Sequence, residues 1–183
     1  MIMFCHRRFD FDVSREFDPK RLRWRRADDV KGAGWNLGYA DLSGFSRAEA
    51  QRVLQLESEI VRRIEASDDP AAELLAIEDE LYEEFDDALY GLDLGVAAAV
   101  AALSVVGCVP ISSCNGGSFG DSHREQYPLV AMFASQSAIP AIKAAAQMAD
   151  TGLENGQDGM LVVYANDIRK MMKFGSYLLD VPT

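Results

Sequence analysis

Residues 94–117 read LGVAAAVAALSVVGCVPISSCNGG, and this stretch decides the architecture. Leu94 to about Val106 is apolar nearly all round. That pattern predicts a deeply buried helix, with Asp93 as its N-cap and Gly107 as its C-terminal stop. Val109–Cys114 follows as a short apolar run closed by Asn115-Gly116-Gly117, which predicts a buried strand ending in a loop. The uncharged run from Leu94 to Gly120 is long enough to raise the membrane question. It is Ala-rich, broken by Gly107, Pro110 and Gly116-Gly117, and flanked by acids, so a buried helix and strand is the better reading.

Downstream, Leu129–Ala134 predicts a second strand and Ser137–Ala149 a helix, with Pro140 in its first turn. Leu153–Gly159 reads as a polar loop and Met160–Ala165 as a third strand. Asn166 is expected to cap a last helix ending near Leu179. The order from residue 94 is α-β-β-α-β-α. A strand at Trp35–Leu42 would complete a ferredoxin-like order.

Upstream, Ser46-Arg47-Ala48-Glu49 is a capping box that opens a helix with a stripe of Val53, Leu56, Ile60 and Ile64. Asp69-Pro70 opens a second helix carrying Leu74, Ile77, Leu81, Phe85 and Ala88. The short link predicts an antiparallel helical hairpin, inserted before the buried helix. At the N-terminus, Phe9, Phe11 and Val13 alternate with Arg8, Asp10 and Asp12, and Arg21, Arg23 and Arg25 alternate with Leu22 and Trp24. With Asp18-Pro19 between them, these runs predict a β-hairpin whose Asp and Arg faces meet. The fold class is α+β with a small sheet. The chain divides into an N-terminal hairpin and loop (1–45), an acidic helical hairpin (46–92) and an α/β core (93–183), packed as one compact unit.

The chain has 183 residues and a formal net charge of −11, with 49% hydrophobic residues. It can bury a core without staples. The charge is segregated: residues 1–31 sum to +3 and the rest to −14. Between Arg63 and Arg124 there is no Lys or Arg, against thirteen Asp and Glu. This balance argues against a generic nucleic-acid coat. The Lys20–Arg26 cluster, with Trp24 inside it, has the make-up of a single-strand binder, but the hairpin accounts for it equally. The acidic helix offers a docking face for a basic partner or for the chain's own basic arm. A homodimer is compatible with these features.

No secretory signal opens the sequence, and the expected location is the cytoplasm. Three cysteines make no disulfide framework. Cys108 and Cys114 are expected on one face of a strand about 20 Å apart, too far to bridge.

The chemistry concentrates in Ser112-Ser113-Cys114-Asn115-Gly116-Gly117. Asn and Gly tolerate positive φ, so successive amides can converge on an anion. The return path brings His123 and Arg124. The leading expectation is a pocket between this loop and the His123–Tyr127 segment. Ser112, Ser113, Asn115, Gly116 and Gly117 would hold a small polar or anionic, nucleotide-like ligand, with Arg124 supplying charge. An enzyme version uses Cys114 as nucleophile and His123 as base. Cys5, His6, Cys114 and His123 are the right ligand types for zinc at spacings that match no compact motif, so no metal is expected. No cofactor is identified.

Ser112-Ser113-Cys114-Asn115-Gly116 resembles the Ser-Ser-Cys-x-Gly strand-loop motif of the tRNA methyltransferases of wybutosine synthesis. A similar motif occurs in small bacterial α/β proteins. The resemblance spans about residues 94–135. It implies a helix before the motif and a second strand after it. Where the tRNA family has a basic residue after the Gly, this chain has Gly117, and it lacks the family's upstream Asp-Lys-basic segment.

Overall fold

Apolar runs at Val109–Cys114 (β1), Leu129–Phe133 (β2) and Leu161–Tyr164 (β4) form strands, joined by a short fourth strand, Gly152–Asn155 (β3). The computed structural model describes residues 7–29, 42–84, 89–119 and 125–181. The sheet order is β1-β2-β4-β3, with every neighbouring pair antiparallel. Among the described residues the α-helices Arg47–Ala66 (α1), Pro70–Glu84 (α2), Ala97–Val105 (α3), Ile139–Ala149 (α4) and Ile168–Asp180 (α5) accompany it. The fold is α+β with a small sheet.

The period of two along each strand separates the two faces of the sheet. Val130, Met132, Leu153, Leu161 and Val163 join the main core with residues of α1, α3, α4 and α5. Leu129, Ala131, Val162 and Tyr164 form a second cluster on the opposite face. The helix α3 is buried from Ala97 to Ser104, as its unbroken apolar surface requires. It packs on α1 and α5. The Ser46–Glu49 capping box is present, and Asp69 accepts from the Ala72 amide at the start of α2.

Four expectations need correction. The N-terminal β-hairpin is replaced by an extended strap. Among the described residues of 7–29 there is no strand; a 3-10 turn at Pro19–Arg21 is capped by Asp18. The apolar alternation is real, because Phe11 and Val13 pack on the second cluster. The strap's backbone, however, bonds to strand ends rather than to its own second half. Phe9 N donates to Asn166 O, Leu153 N donates to Ser14 O, and Arg23 N and Arg25 N donate to Gly159 O and Ala134 O. Its cations accordingly find acids far along the chain: Arg8 pairs with Asp167 and Arg15 with Asp150, while Arg23 pairs with the nearby Asp29.

The second correction is β3, which the sequence presents as a polar loop. Leu153 is its one fully buried side chain. Gly152 leaves room for the Tyr164 ring, which a Cβ there would overlap. A strand with so little apolar signal forms because its neighbour supplies the cover. Both β2 and β3 run antiparallel to β4, which lies between them, so β2-α4-β3 is a split parallel crossover. The expected strand at Trp35–Leu42 lies, but for Leu42, outside the described residues.

Third, the helix α3 starts at Ala97 rather than Leu94, and Asp93 is not its cap. The helix α5 is capped by Asp167 rather than Asn166, the Asp167 carboxylate accepting from Arg169 N. Fourth, Cys108 and Cys114 do not share a face. A bulge between Pro110 and Ser112 inserts one residue, so Pro110 pairs with Met132 but Ser112 pairs with Ala131. One inserted residue exchanges the faces of everything beyond it. Cys108 joins the main core, and Cys114 lies opposite Leu129 on the strap side.

Candidate functional site

The strand β1 delivers Cys114 to the end of the sheet, and Asn115 then anchors the turn. Asn115 is 6% exposed. Its amide N donates to Asp93 Oδ2 at 3.2 Å, and its Nδ2 donates to Leu94 O at 3.2 Å. Its side-chain oxygen accepts from Gly117 N at 2.9 Å, and its carbonyl accepts from Ser118 Oγ. Gly116 N donates to Cys114 Sγ at 3.3 Å. The three successive amides foreseen as an outward-facing anion cradle are thus engaged within the loop and its support. The glycine pair is used for shape: Gly116 and Gly117 both have φ of +69°, and a Cβ on Gly116 would overlap the Tyr127 backbone.

The Ser112–Gly117 loop packs against Tyr127 at Gly116. Ser112 and Ser113 are both half-buried, and their register places them on opposite faces, facing Ala131 and Val130 respectively. Cys114 is buried. His123 and Arg124, with Cys5 and His6, lie outside the described residues.

Tyr127, Phe11 and Tyr164 form a ring cluster beside the loop, with centroids 5.1, 6.1 and 5.7 Å apart. Burial, with Glu154 and Tyr164 nearby, holds the Tyr127 hydroxyl above its ordinary range.

The positive charge at this end comes from elements that sequence reasoning did not connect to it. Arg7 N donates to Ser118 O, and Phe9 N donates to Asn166 O, so the strap crosses from the loop to the start of α5. There Asp167, its side chain 4% exposed, collects two guanidinium groups. Arg8 Nε donates to Asp167 Oδ2 at 2.8 Å, and Arg169 Nη2 donates to the same oxygen at 2.9 Å. Arg169 also lies 3.8 Å from Glu65. The Arg7 guanidinium sits 4.9 Å from the centre of the Phe9 ring. Two arginines therefore meet on one buried carboxylate, and the Arg7 backbone beside them bonds Ser118. The local signals were an Arg7-Arg8 pair and an Asn-Asp cap, and neither names the other.

On the acidic hairpin, Arg63 of α1 holds Glu80 of α2 by two hydrogen bonds of 2.6 and 2.8 Å and also bonds Glu73. Those bonds hold the Glu80 carboxyl below its ordinary range. Among the described residues no helix is long and apolar enough to cross a membrane. No family model matches the chain, and comparison with curated proteins and with solved structures gives no match either.

Proposed function

We propose that the chain is a ligand-binding domain for a small anionic molecule, seated where the Ser112–Gly117 loop meets the Arg7-Arg8 strap and the start of α5. The observation that carries this reading is the sharing of Asp167 by Arg8 and Arg169. Arg8 and Arg169 converge on Asp167, and guanidinium groups bind phosphate and carboxylate in pairs of parallel hydrogen bonds. The loop's own amides are occupied, so the ligand would meet arginine side chains and the serine hydroxyls rather than an amide cradle. Arg124 would add to this charge. The burial of Cys114 favours non-covalent binding over a Cys114–His123 enzyme. The buried thiols fit a reducing, cytoplasmic setting.

The test is isothermal titration with sulfate, phosphate, pyrophosphate and nucleoside phosphates. Binding should weaken at least about tenfold in Arg8→Ala and in Arg169→Ala, consistent with loss of one charge-assisted contact. Equal affinity in both variants would place the site elsewhere.

A second reading has its own support. The strap's Arg8 and Arg15 bond to Asp167 and Asp150, away from the α1–α2 hairpin. That leaves the hairpin's acids as a docking face for a basic protein partner. Salt-dependent binding to a basic peptide, weakened in Glu73→Lys, would support it, and binding retained at high salt would count against it.

A further inference from the structure

Residues 164–167, which lead from β4 into α5, form the dock for the N-terminal strap. The Tyr164 hydroxyl accepts from Ser14 N. Asn166 O accepts from Phe9 N at 2.9 Å, and Asn166 Nδ2 donates to Phe11 O at 2.9 Å. Asp167 accepts from Arg8 Nε at 2.8 Å. Arg169 follows two residues later, and its guanidinium reaches the same carboxylate. The two arginines of the anion site thus come from different bodies. Arg169 is carried by α5, whereas Arg8 is carried by residues 7–18, which belong to no helix or strand.

The strap's hold on the sheet is thin. Phe9, Phe11 and Val13 are half-buried, while Arg8, Asp10 and Asp12 between them are exposed. Phe11 and Val13 lie on the outer cluster of Leu129, Ala131, Val162 and Tyr164. The charged fasteners stand near solvent: the Arg8 side chain is 62% exposed, and Arg15 bonds an Asp150 carboxylate that is 59% exposed. Ion pairs in such positions contribute little each. A segment with few buried apolar contacts and solvent-facing bonds opens at low free-energy cost.

We propose that the strap is the closing half of the anion site: docked on residues 164–167 it brings Arg8 beside Arg169, undocked it takes Arg8 away, and a bound anion therefore locks the strap down. The inference rests on the anion site proposed above. Its physical basis is linkage. An anion that touches both Arg8 and Arg169 favours the docked state, and it stabilises docking by the same free energy with which docking favours the anion. Arg7 N on Ser118 O and Phe9 N on Asn166 O fix the backbone on both sides of Arg8, so those bonds set where its guanidinium stands.

The experiment pairs isothermal titration of the full chain with sulfate and native-state trypsin cleavage after Arg15 and Lys20 at the same sulfate concentrations. Potassium chloride at matched ionic strength is the reference, and trypsin's rate on a small peptide is measured in each buffer. Cleavage proceeds through the undocked strap. At sulfate ten times the dissociation constant found by titration, it should slow about tenfold. Arg169→Ala leaves the Arg8–Asp167 bond in place but should lose most of that protection at the same sulfate concentration. If Arg169→Ala does not fold, Arg8→Ala serves instead: its strap should be cleaved faster from the outset, and sulfate should not slow it. Sulfate that binds without slowing cleavage overturns the closing strap and leaves the anion site standing. Sulfate that quickens cleavage also overturns it, by showing that the anion draws Arg8 away from Asp167. Equal protection in the wild type and the variant assigns the effect to salt and overturns it as well. No sulfate binding in the titration overturns the anion site, and the closing strap with it.

Discussion

The Tyr164 hydroxyl holds Ser14 in both directions: Ser14 N donates to it at 2.9 Å, and it donates to Ser14 O at 3.3 Å. One phenol thereby fixes the middle of the N-terminal strap to the central strand β4. Tyr164→Phe keeps the ring and its packing on Phe11 but removes both bonds. It should cost about 1–2 kcal/mol in urea unfolding. Trypsin cleavage after Arg15 and Lys20 should quicken in the native state. An unchanged cleavage rate would mean that Phe11 and Val13 hold the strap without the hydroxyl.

Glu57 predicts a pH-dependent stability whose sign follows from its raised folded-state pKa. The side chain is fully buried on α1 and accepts from the amides of Gly95, Ala97 and Ala98. Its ordinary value is 4.5, and in the fold burial carries it to about 7. The folded state therefore binds the proton more tightly than the unfolded chain does. The stabilisation is complete below pH 4.5 and is lost as pH rises through 7. The stability of the wild type relative to Glu57→Gln should fall by up to about 3 kcal/mol from pH 4.5 to 8. Urea unfolding of both proteins across that range checks it. A difference that grows with pH would show that the three amides outweigh burial.

Asp167 combines a helix cap with a counter-charge, and two substitutions separate these roles. It accepts from Arg169 N at 2.8 Å and bonds the Arg8 and Arg169 guanidinium groups. Asp167→Ala removes everything and should cost about 1–2 kcal/mol. Asp167→Asn keeps a competent cap, so it should cost less than half as much in the same urea titration. Equal losses would assign the stabilisation to charge rather than to capping.

The legible parts of this fold are those written in local pattern. The runs that become β1, β2 and β4, the Ser46 capping box and the all-apolar α3 each carry a complete signal in their own residues. The strap shows the limit. Phe9, Phe11 and Val13 alternate as strand residues do, yet the backbone of this run bonds through Phe9 to Asn166 and through Ser14 to Leu153, more than a hundred residues away. The strand β3 is hidden for the converse reason, since Tyr164 supplies the apolar cover that Gly152 lacks. Glu57 reads as one more charged residue on α1 until α3 presents its amides. At the candidate site, Ser112–Gly117 is a local signal, but the meeting of Arg8 and Arg169 on Asp167 arises only from the crossing of distant segments.

Cys108 offers a check on the core beneath the loop. Burial pushes its thiol up to about 11. Thiolate is the reactive form, so at pH 8 the native chain should alkylate Cys108 with iodoacetamide at least about a hundredfold more slowly than an exposed thiol of ordinary pKa. Mass spectrometry of timed samples gives the rate. Fast labelling in the folded chain would show that α3 and β1 separate readily.

Gly116 and Gly107 give a matched pair, because both have positive φ but only one is crowded. Gly107 has φ of +82°, and the nearest atom to a Cβ there is Arg25 Nη1 at 3.5 Å. Gly107→Ala should therefore cost only the backbone preference, about 1 kcal/mol. Gly116, with φ of +69°, carries the same preference, but its Cβ would overlap the Tyr127 backbone, which no rotamer change relieves. Gly116→Ala should cost at least about 2 kcal/mol, the excess being the overpacking term. It should also release the Asn115 and Gly117 amides to faster exchange, which Gly107→Ala should not. Urea unfolding and amide exchange on the two variants decide the matter. Equal costs with unchanged exchange at Asn115 would mean that the 125–127 segment yields to the loop, and that the loop is not held by that contact.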